Sequence, residues 1–172
     1  MRAAGVEAGE VGVEAGSDVY ARLDRLGITL PPPPPPVANF QSHAEVRGLL
    51  FLSGQGPVMP DGSAMTGTVG ADVSAADAYG HARLVGINLL AVMHAATGDL
   101  NRIARIVKVL GMVNCTEDFG EQPQVINGFS ELMRDIWGPE LGVAARSAVG
   151  MTLPTGIAAE IEAIFELNAS DS

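Results

Sequence analysis

The chain has 172 residues and a mass of 17.8 kDa, a length that favours a single domain. Ten Lys and Arg residues stand against twenty Asp and Glu residues, which gives a formal net charge of -10. Because affinity for nucleic acid comes largely from basic groups that neutralise phosphates, this balance argues against nucleic-acid binding. Hydrophobic residues make up 47% of the chain and charged ones only 17%, which favours an oligomer that covers part of the apolar surface.

The single cysteine, Cys115, excludes an internal disulfide and any site built from several thiolates. This cysteine usage favours a reducing compartment, and we expect a cytoplasmic protein. Residues 1–16 repeat Gly, Ala, Val and Glu without a continuous apolar core, so they match neither a secretory signal nor an Arg-rich transit peptide. No run approaches 18 apolar residues, so the sequence predicts no membrane-spanning helix.

Three regions are predicted along the chain: a disordered tail over residues 1–16, a short helix with a polyproline spacer over residues 17–36, and one domain over residues 37–168. Six consecutive prolines, Pro31 to Pro36, impose a polyproline II conformation. We interpret this tract as a stiff spacer. The alternative, a ligand for SH3-type domains, lacks a basic flank here.

The predicted domain is built from five strands and two helices. A capping box, Ser74 with Asp77, opens a long helix that Gly98 ends, and Gly138 ends the second helix. The apolar run Leu49–Leu52 is expected to be buried. The expected elements are, in order, two short strands within 43–53, a helix over 75–97, a strand over 102–113, a helix over 124–137, and strands over 143–153 and 157–167. This order predicts an α+β fold with two layers, in which both helices pack on one face of a mixed sheet.

The last two predicted strands are joined by a short turn, so we expect them to pair as a hairpin. Residues of the same parity share a face of a hairpin, which would place Arg146 beside Glu160, Glu162 and Glu166. An arginine among small residues and carboxylates is suited to a shallow anion-binding recess. The alternative is a solvent-facing salt bridge on an edge strand.

Other reactive side chains are predicted to have structural roles. The three histidines, His43, His81 and His94, lack the spacing of metal ligands, so we expect surface or capping roles and no metal site. Ser53 lacks the G-x-S-x-G context of a nucleophile, which favours a role in a turn. Cys115 has no neighbouring base in sequence and is interpreted as a structural thiol.

Four segments together resemble the RidA/YjgF family, also labelled L-PSP endoribonuclease: LLFLSGQGPV, IVKVLGMVNCTEDF, VINGFSELM and ARSAVGMTLPTGIAAEIEAIFEL. The resemblance covers about residues 37–167 and is closer to a subgroup with the VING and RSAVG segments. It implies a chorismate-mutase-like α+β fold and a homotrimer with ligand clefts between its subunits.

The resemblance also implies an activity, the hydrolysis of reactive enamines and imines such as 2-aminoacrylate to 2-keto acids and ammonia, with no cofactor. Arg146 matches the family arginine that binds the substrate carboxylate, and Glu160 matches the glutamate near the attacking water. Water addition to an imine needs a positioned carboxylate and an oriented substrate, so neither a metal nor a covalent nucleophile is required. Four further residues are predicted to line the substrate site: Phe40, Ser53, Asn127 and Ala148.

Three departures from the family pattern leave a second function open. Phe40 stands in place of a cleft tyrosine, Ala148 stands in place of a cysteine, and the 14-residue interval from Arg146 to Glu160 is one residue shorter. The alternative is therefore a module that binds a small carboxylate without turnover. Ribonuclease activity is implied only by the older family label, and the acidic chain offers neither a basic groove nor paired histidines for acid-base catalysis.

Overall fold

A computed structural model describes residues 18–169 of the protein, and the tail predicted over residues 1–16 lies outside them. The helices and strands are α1 (Val19–Arg25), β1 (His43–Val46), β2 (Leu49–Gln55), α2 (Ala75–Thr97), β3 (Ile103–Val113), α3 (Gln122–Leu141), β4 (Ala145–Gly150) and β5 (Ala159–Leu167). Short 3-10 turns at Leu100–Arg102 and Pro154–Gly156 precede β3 and β5. None of the helices in this part of the chain is long and apolar enough to cross a membrane.

The five strands form one mixed sheet in the order β1-β2-β5-β3-β4. The β3 and β4 strands are parallel, and the other neighbouring pairs are antiparallel. Helix α2 packs against β2 and β5, while α3 packs against β3 and β4. The predicted two-layer α+β architecture, with both long helices on one face of the sheet, is confirmed.

Alternating burial identifies the two faces of the sheet. In β5 the apolar residues at every second position are buried, as their spacing predicts, and the intervening glutamates point to the opposite, open face. The apolar run in β2 is not buried throughout, because Phe51 is 38% exposed on that open face. The core therefore lies between the sheet and the two long helices.

The expected pairing of the last two strands is wrong. β4 pairs with β3 in parallel, while β5 lies between β2 and β3 and does not touch β4 as a neighbour. The physical reason is the connection through α3, because a strand that follows a crossover helix can return parallel to the strand before it. The turn before β5 then carries the chain past β3 to the centre of the sheet.

Local chemistry fixes the ends of the long helices. The Ser74 hydroxyl accepts a hydrogen bond from the Asp77 backbone N–H at 3.0 Å, and Gly98 ends α2 in the left-handed conformation with φ 73. Both features were predicted. The second helix is longer than predicted, since α3 resumes after a break at Gly138 (φ 78, ψ 174) and runs to Leu141.

The two long helices approach each other closely at glycines. A Cβ on Gly128 of α3 would collide with the backbone carbonyl of Tyr79 in α2. A Cβ on Gly86 of α2 would lie 2.8 Å from the side chain of Leu132 in α3. At Gly128 only glycine permits this approach, because the obstacle is backbone, whereas the Leu132 side chain that faces Gly86 can shift.

Helix α1 packs onto the domain. Val19 and Leu23 are buried in the common core. The Arg22 guanidinium donates to the carbonyl of Ile136 in α3, and the Tyr20 hydroxyl accepts from the Leu100 backbone N–H at 2.9 Å. In the tract that follows, Pro31 and Pro34 are half-buried while the other four prolines are exposed, a three-residue spacing that matches the period of the predicted polyproline II conformation.

Candidate functional site

The Arg146 side chain lies on the helix-covered face of the sheet. Its register partner on β3 is Val109, which in turn pairs with Ala163 on β5. Val109 and Ala163 are both buried under the helices, so Arg146 points to the same side, at the edge of the sheet where α3 runs.

Helix α3 holds the guanidinium of Arg146. Nη1 donates to Oδ1 of Asn127 at 2.9 Å and to Oγ of Ser130 at 2.9 Å, and Nη2 donates to the carbonyl of Pro123 at 3.3 Å. These three partners lie on one face of α3, because they are spaced by four and three residues. Arg146 is half-buried, and this burial lowers the pKa of its guanidinium below the ordinary value. No carboxylate among residues 18–169 forms an ion pair with it.

Glu160 lies on the open face, near the start of β5, where it pairs with Met112 of β3. Its carboxylate lies directly over Gly54, so closely that a Cβ at Gly54 would collide with it. The β2–β5 register shifts between Leu52 and Gln55, and this irregularity surrounds the glycine. Because Gly54 has no side chain, the half-buried Glu160 carboxylate can occupy the space above it.

The environment of Glu160 makes ionisation of its carboxyl group less favourable than in water. Burial raises the pKa of the Glu160 carboxyl above its ordinary value, and the charge of Glu162, two residues along the same face of β5, raises it further. A carboxyl group with a raised pKa exchanges protons closer to neutral pH, which suits it to acid-base chemistry.

We predict that replacing Glu162 with glutamine will lower the pKa of Glu160 without returning it to the ordinary value, since burial is the larger cause of the shift. An NMR titration of the Glu160 carboxyl carbon in both proteins measures this change. The raised pKa also means that ionisation of Glu160 opposes folding, so its contribution to stability is present at low pH and is lost as the pH rises through the raised pKa. An unchanged titration in the Glu162→Gln protein would contradict the interpretation.

The expectation that Arg146 shares a surface with the three glutamates is wrong. It depended on a hairpin between β4 and β5, whereas β3 lies between these strands. In the observed register Arg146 aligns with buried Val109, while Glu160 and Glu162 align with Met112 and Leu110 on alternate positions. The arginine and the glutamates therefore lie on opposite faces of the sheet within one chain.

Ser53 holds the segment that precedes β1. Its hydroxyl donates to the carbonyl of Gln41 at 2.6 Å, and its backbone N–H donates to the carbonyl of Ser42 at 3.0 Å. These two bonds position the adjacent Phe40, whose side chain is 42% exposed. The hydroxyl is therefore engaged by backbone, as in a structural role rather than that of an activated nucleophile.

A cavity of about 290 Å³ opens beside Ser53 on the open face of the sheet. Its lining includes the apolar residues Phe51 and Leu52 and the charged residues Lys108 and Glu162. Lys108 also donates to the hydroxyl of Ser147 at 3.1 Å. Arg146 does not line this cavity, and Ala148 lies half-buried two residues from Arg146 on the same face of β4.

Sequence reasoning missed the contact between Ser130 and Arg146. The available signal was the spacing of Asn127 and Ser130 on a helix whose apolar residues occupy the opposite face. It also misplaced His81, which is buried, and this burial lowers the pKa of its imidazole. Within residues 18–169 no group of three or more His, Cys, Asp and Glu side chains could hold a metal ion.

Comparisons with known proteins agree with this fold. A family model described as "YjgF/chorismate_mutase-like, putative endoribonuclease" matches residues 20–156. Protein TCP17 of Trypanosoma cruzi is 41% identical over 157 residues, which cover 91% of this chain and 98% of that protein. The chain belongs to the YjgF/RidA family.

Two crystal structures place the fold within the same group. The structure of protein Atu1372 from Agrobacterium tumefaciens shares 42% identity and a TM-score of 0.79, with 87% of this chain and 94% of that chain covered. A Shewanella oneidensis protein named as a "putative endoribonuclease" shares 28% identity and a TM-score of 0.84, with 88% and 100% covered. The chorismate-mutase-like fold implied by the sequence resemblance is thereby confirmed.

Proposed function

We propose that this protein is a RidA-type enamine/imine deaminase that acts at clefts between the subunits of a homotrimer. The observation that carries the proposal is Arg146, a half-buried guanidinium that α3 holds in place and that no carboxylate of the described chain neutralises. A half-buried cation of this kind is suited to a small carboxylate ligand, because charge-assisted bonds from arginine match the geometry of a carboxylate.

The proposed reaction begins with an enamine such as 2-aminoacrylate, which takes a proton at its terminal carbon to become an imine. Water then attacks the C=N carbon, a C–O bond forms, and the π electron pair of the C=N bond moves to nitrogen, which is protonated. Collapse of this carbinolamine breaks the C–N bond and releases ammonia and a 2-keto acid. The Glu160 carboxylate takes the proton of the attacking water, and its raised pKa suits this role.

The arrangement of the two residues favours a site between subunits. Arg146 and Glu160 lie on opposite faces of one sheet, so one small substrate cannot contact both residues of the same chain. A second copy that brings its Glu160 to the Arg146 of the first would complete the site. An exposed apolar face that includes Phe51, Val107 and Val149 gives the copies a surface to bury.

Subunit complementation tests the proposal. We predict that Arg146→Ala and Glu160→Gln proteins each lose about 90% or more of the keto-acid release from enzymatically generated 2-aminoacrylate, and that coexpressing the two variants restores activity. In randomly mixed trimers about a quarter of the intersubunit sites combine one intact Arg146 with one intact Glu160, so about a quarter of wild-type activity is expected. The assay follows keto acid and ammonia together.

Two measurements control the complementation experiment. Light scattering of the wild-type protein should give about three times the 17.8 kDa mass of the chain. The second control coexpresses the wild-type chain with a chain that carries both substitutions. In randomly mixed trimers about a quarter of its intersubunit sites are also intact, so its activity should be similar to that of the mixed single variants. If the mixed single variants are no more active than either variant alone in a confirmed trimer, the two residues do not form one site across an interface.

A second candidate function is a binding module that captures a 2-keto acid without turnover. It is favoured by Phe40 and Ala148, which lack the hydroxyl and the thiol that the family resemblance implies at these positions. Calorimetry with pyruvate separates the two candidates, because binding with no acceleration of imine hydrolysis supports the module. The ribonuclease named in the family description is disfavoured by the net charge of -10.

A further inference from the structure

The guanidinium of Arg146 uses only part of its hydrogen-bonding capacity within the chain. It has five N–H donors in one rigid plane. Asn127 and Ser130 accept from Nη1, and the Pro123 carbonyl accepts from Nη2. Two donors therefore remain without a partner among residues 18–169. A carboxylate has two oxygens that accept a pair of parallel N–H bonds, so two donors are the number that one carboxylate needs.

We propose that Ser130 is a positioning residue for Arg146, which orients the guanidinium so that its two remaining donors engage one carboxylate. This inference rests on the proposed function, because it concerns the same arginine. Two acceptors three residues apart on α3, Asn127 and Ser130, occupy both donors of Nη1. Without Ser130, Nη1 would keep one acceptor, Asn127, and Nη2 would keep its longer 3.3 Å bond to the Pro123 carbonyl, so the plane of the guanidinium would be held less firmly.

The position of Ser130 supports an orienting role. It lies in the first half of a 20-residue helix whose neighbouring residues Phe129 and Met133 are fully buried, so its Oγ is held on a rigid element. Ser130, Asn127 and Arg146 are all half-buried, which leaves the guanidinium open to a small molecule. The hydroxyl is neutral, so it orients the cation without neutralising it. A carboxylate in its place would compete with the ligand for the same charge.

A purely structural role is the competing explanation. Arg146 could simply tie the edge strand β4 to α3, and Ser130 would then contribute to stability alone. The two explanations differ in what changes when the hydroxyl is lost. The structural tie survives through Asn127 and Pro123, so loss of orientation weakens carboxylate binding more than it lowers the melting temperature.

The test measures binding of pyruvate by calorimetry to wild-type, Ser130→Ala and Ser130→Thr proteins. We expect Ser130→Ala to weaken binding by about 5- to 10-fold, less than the loss of a direct hydrogen bond to a charged group because Ser130 acts through Arg146, while Ser130→Thr stays within about twofold of wild type because it keeps the hydroxyl. In the enamine assay the same loss should raise KM more than it lowers kcat. Gln124→Ala, an exposed position on the same helix, is the matched control and should bind as wild type does.

The outcomes separate this inference from the proposed function. If Arg146→Ala abolishes pyruvate binding while folded Ser130→Ala binds as wild type, the positioning role is wrong and the carboxylate site stands. If Arg146→Ala binds pyruvate as wild type, both fail. If the Ser130→Ala protein does not fold, NMR of the Arg146 guanidinium in the wild-type protein tests the positioning role instead. Slow rotation of the Nη1 amino group of Arg146 is expected, and free rotation like that of exposed Arg134 would overturn the role.

Discussion

Replacing Arg146 with alanine is expected to lower kcat/KM for enamine hydrolysis by about 10- to 150-fold, because hydrogen bonds to a charged group contribute about 1.5–3 kcal/mol. The fold should survive, since β4 keeps its backbone pairing with β3 and Ala148 still packs against the core. The measurement is keto-acid release at several concentrations of enzymatically generated 2-aminoacrylate.

Two further variants sharpen this result. Arg146→Lys keeps the charge but loses the planar group of donors, so it should recover only part of the loss. Arg134→Ala removes an arginine of the same helix-side surface whose side chain is 51% exposed and pairs weakly with Asp135, and it should leave activity unchanged. Equal activity of wild-type and Arg146→Ala proteins would contradict the deaminase proposal.

Replacing Gly128 with alanine is expected to destabilise the protein by about 3 kcal/mol or more, because the added Cβ would overlap the backbone of Tyr79 and separate the two long helices. Backbone atoms cannot move aside as a flexible side chain can. Urea denaturation at equilibrium measures the change, and the midpoint should fall markedly.

The matched control is Gly80→Ala on α2. Nothing lies within 4 Å of a Cβ at Gly80, so this substitution should raise stability by about 0.5–1 kcal/mol through the higher helix propensity of alanine. The two substitutions make the same chemical change with opposite expected signs. If Gly128→Ala unfolds at the wild-type midpoint, the close helix approach is not a requirement of the fold.

Local signals in the sequence predicted the elements well, because they depend on residues near one another. Ser74 and Gly98 mark the ends of α2 through their own hydrogen bonds and backbone angles, and both are confirmed. The pairing of the strands could not be predicted from local signals, since it depends on the path of the whole chain. A strand-helix-strand unit lies between Ile103 and Gly150, and this unit favours a parallel pair over the hairpin that the short final turn suggested.

In the candidate site, too, the residue types could be predicted from the sequence but their positions in the sheet could not. The residue types at Arg146 and Glu160 were identified through the family resemblance and the small residues around the arginine. The face of the sheet on which each side chain lies depends on which strand pairs with β4. Because the expected hairpin pairs β4 with β5 and not with β3, it predicts the wrong face for Arg146. Ser130 was not predicted because its spacing from Asn127 on the polar side of α3 gains a meaning only when the arginine that both residues contact is located.

The central position of β5 has a consequence for synthesis of the chain. Strands β2 and β3 are joined in the sheet only through β5, which is synthesised after both of them. Until then the nascent chain holds two separate half-sheets, each with an open strand edge able to pair with another chain. Pairing of β5 therefore joins the two halves of the sheet, and a chain cut short before Ala159 is expected to be prone to aggregation.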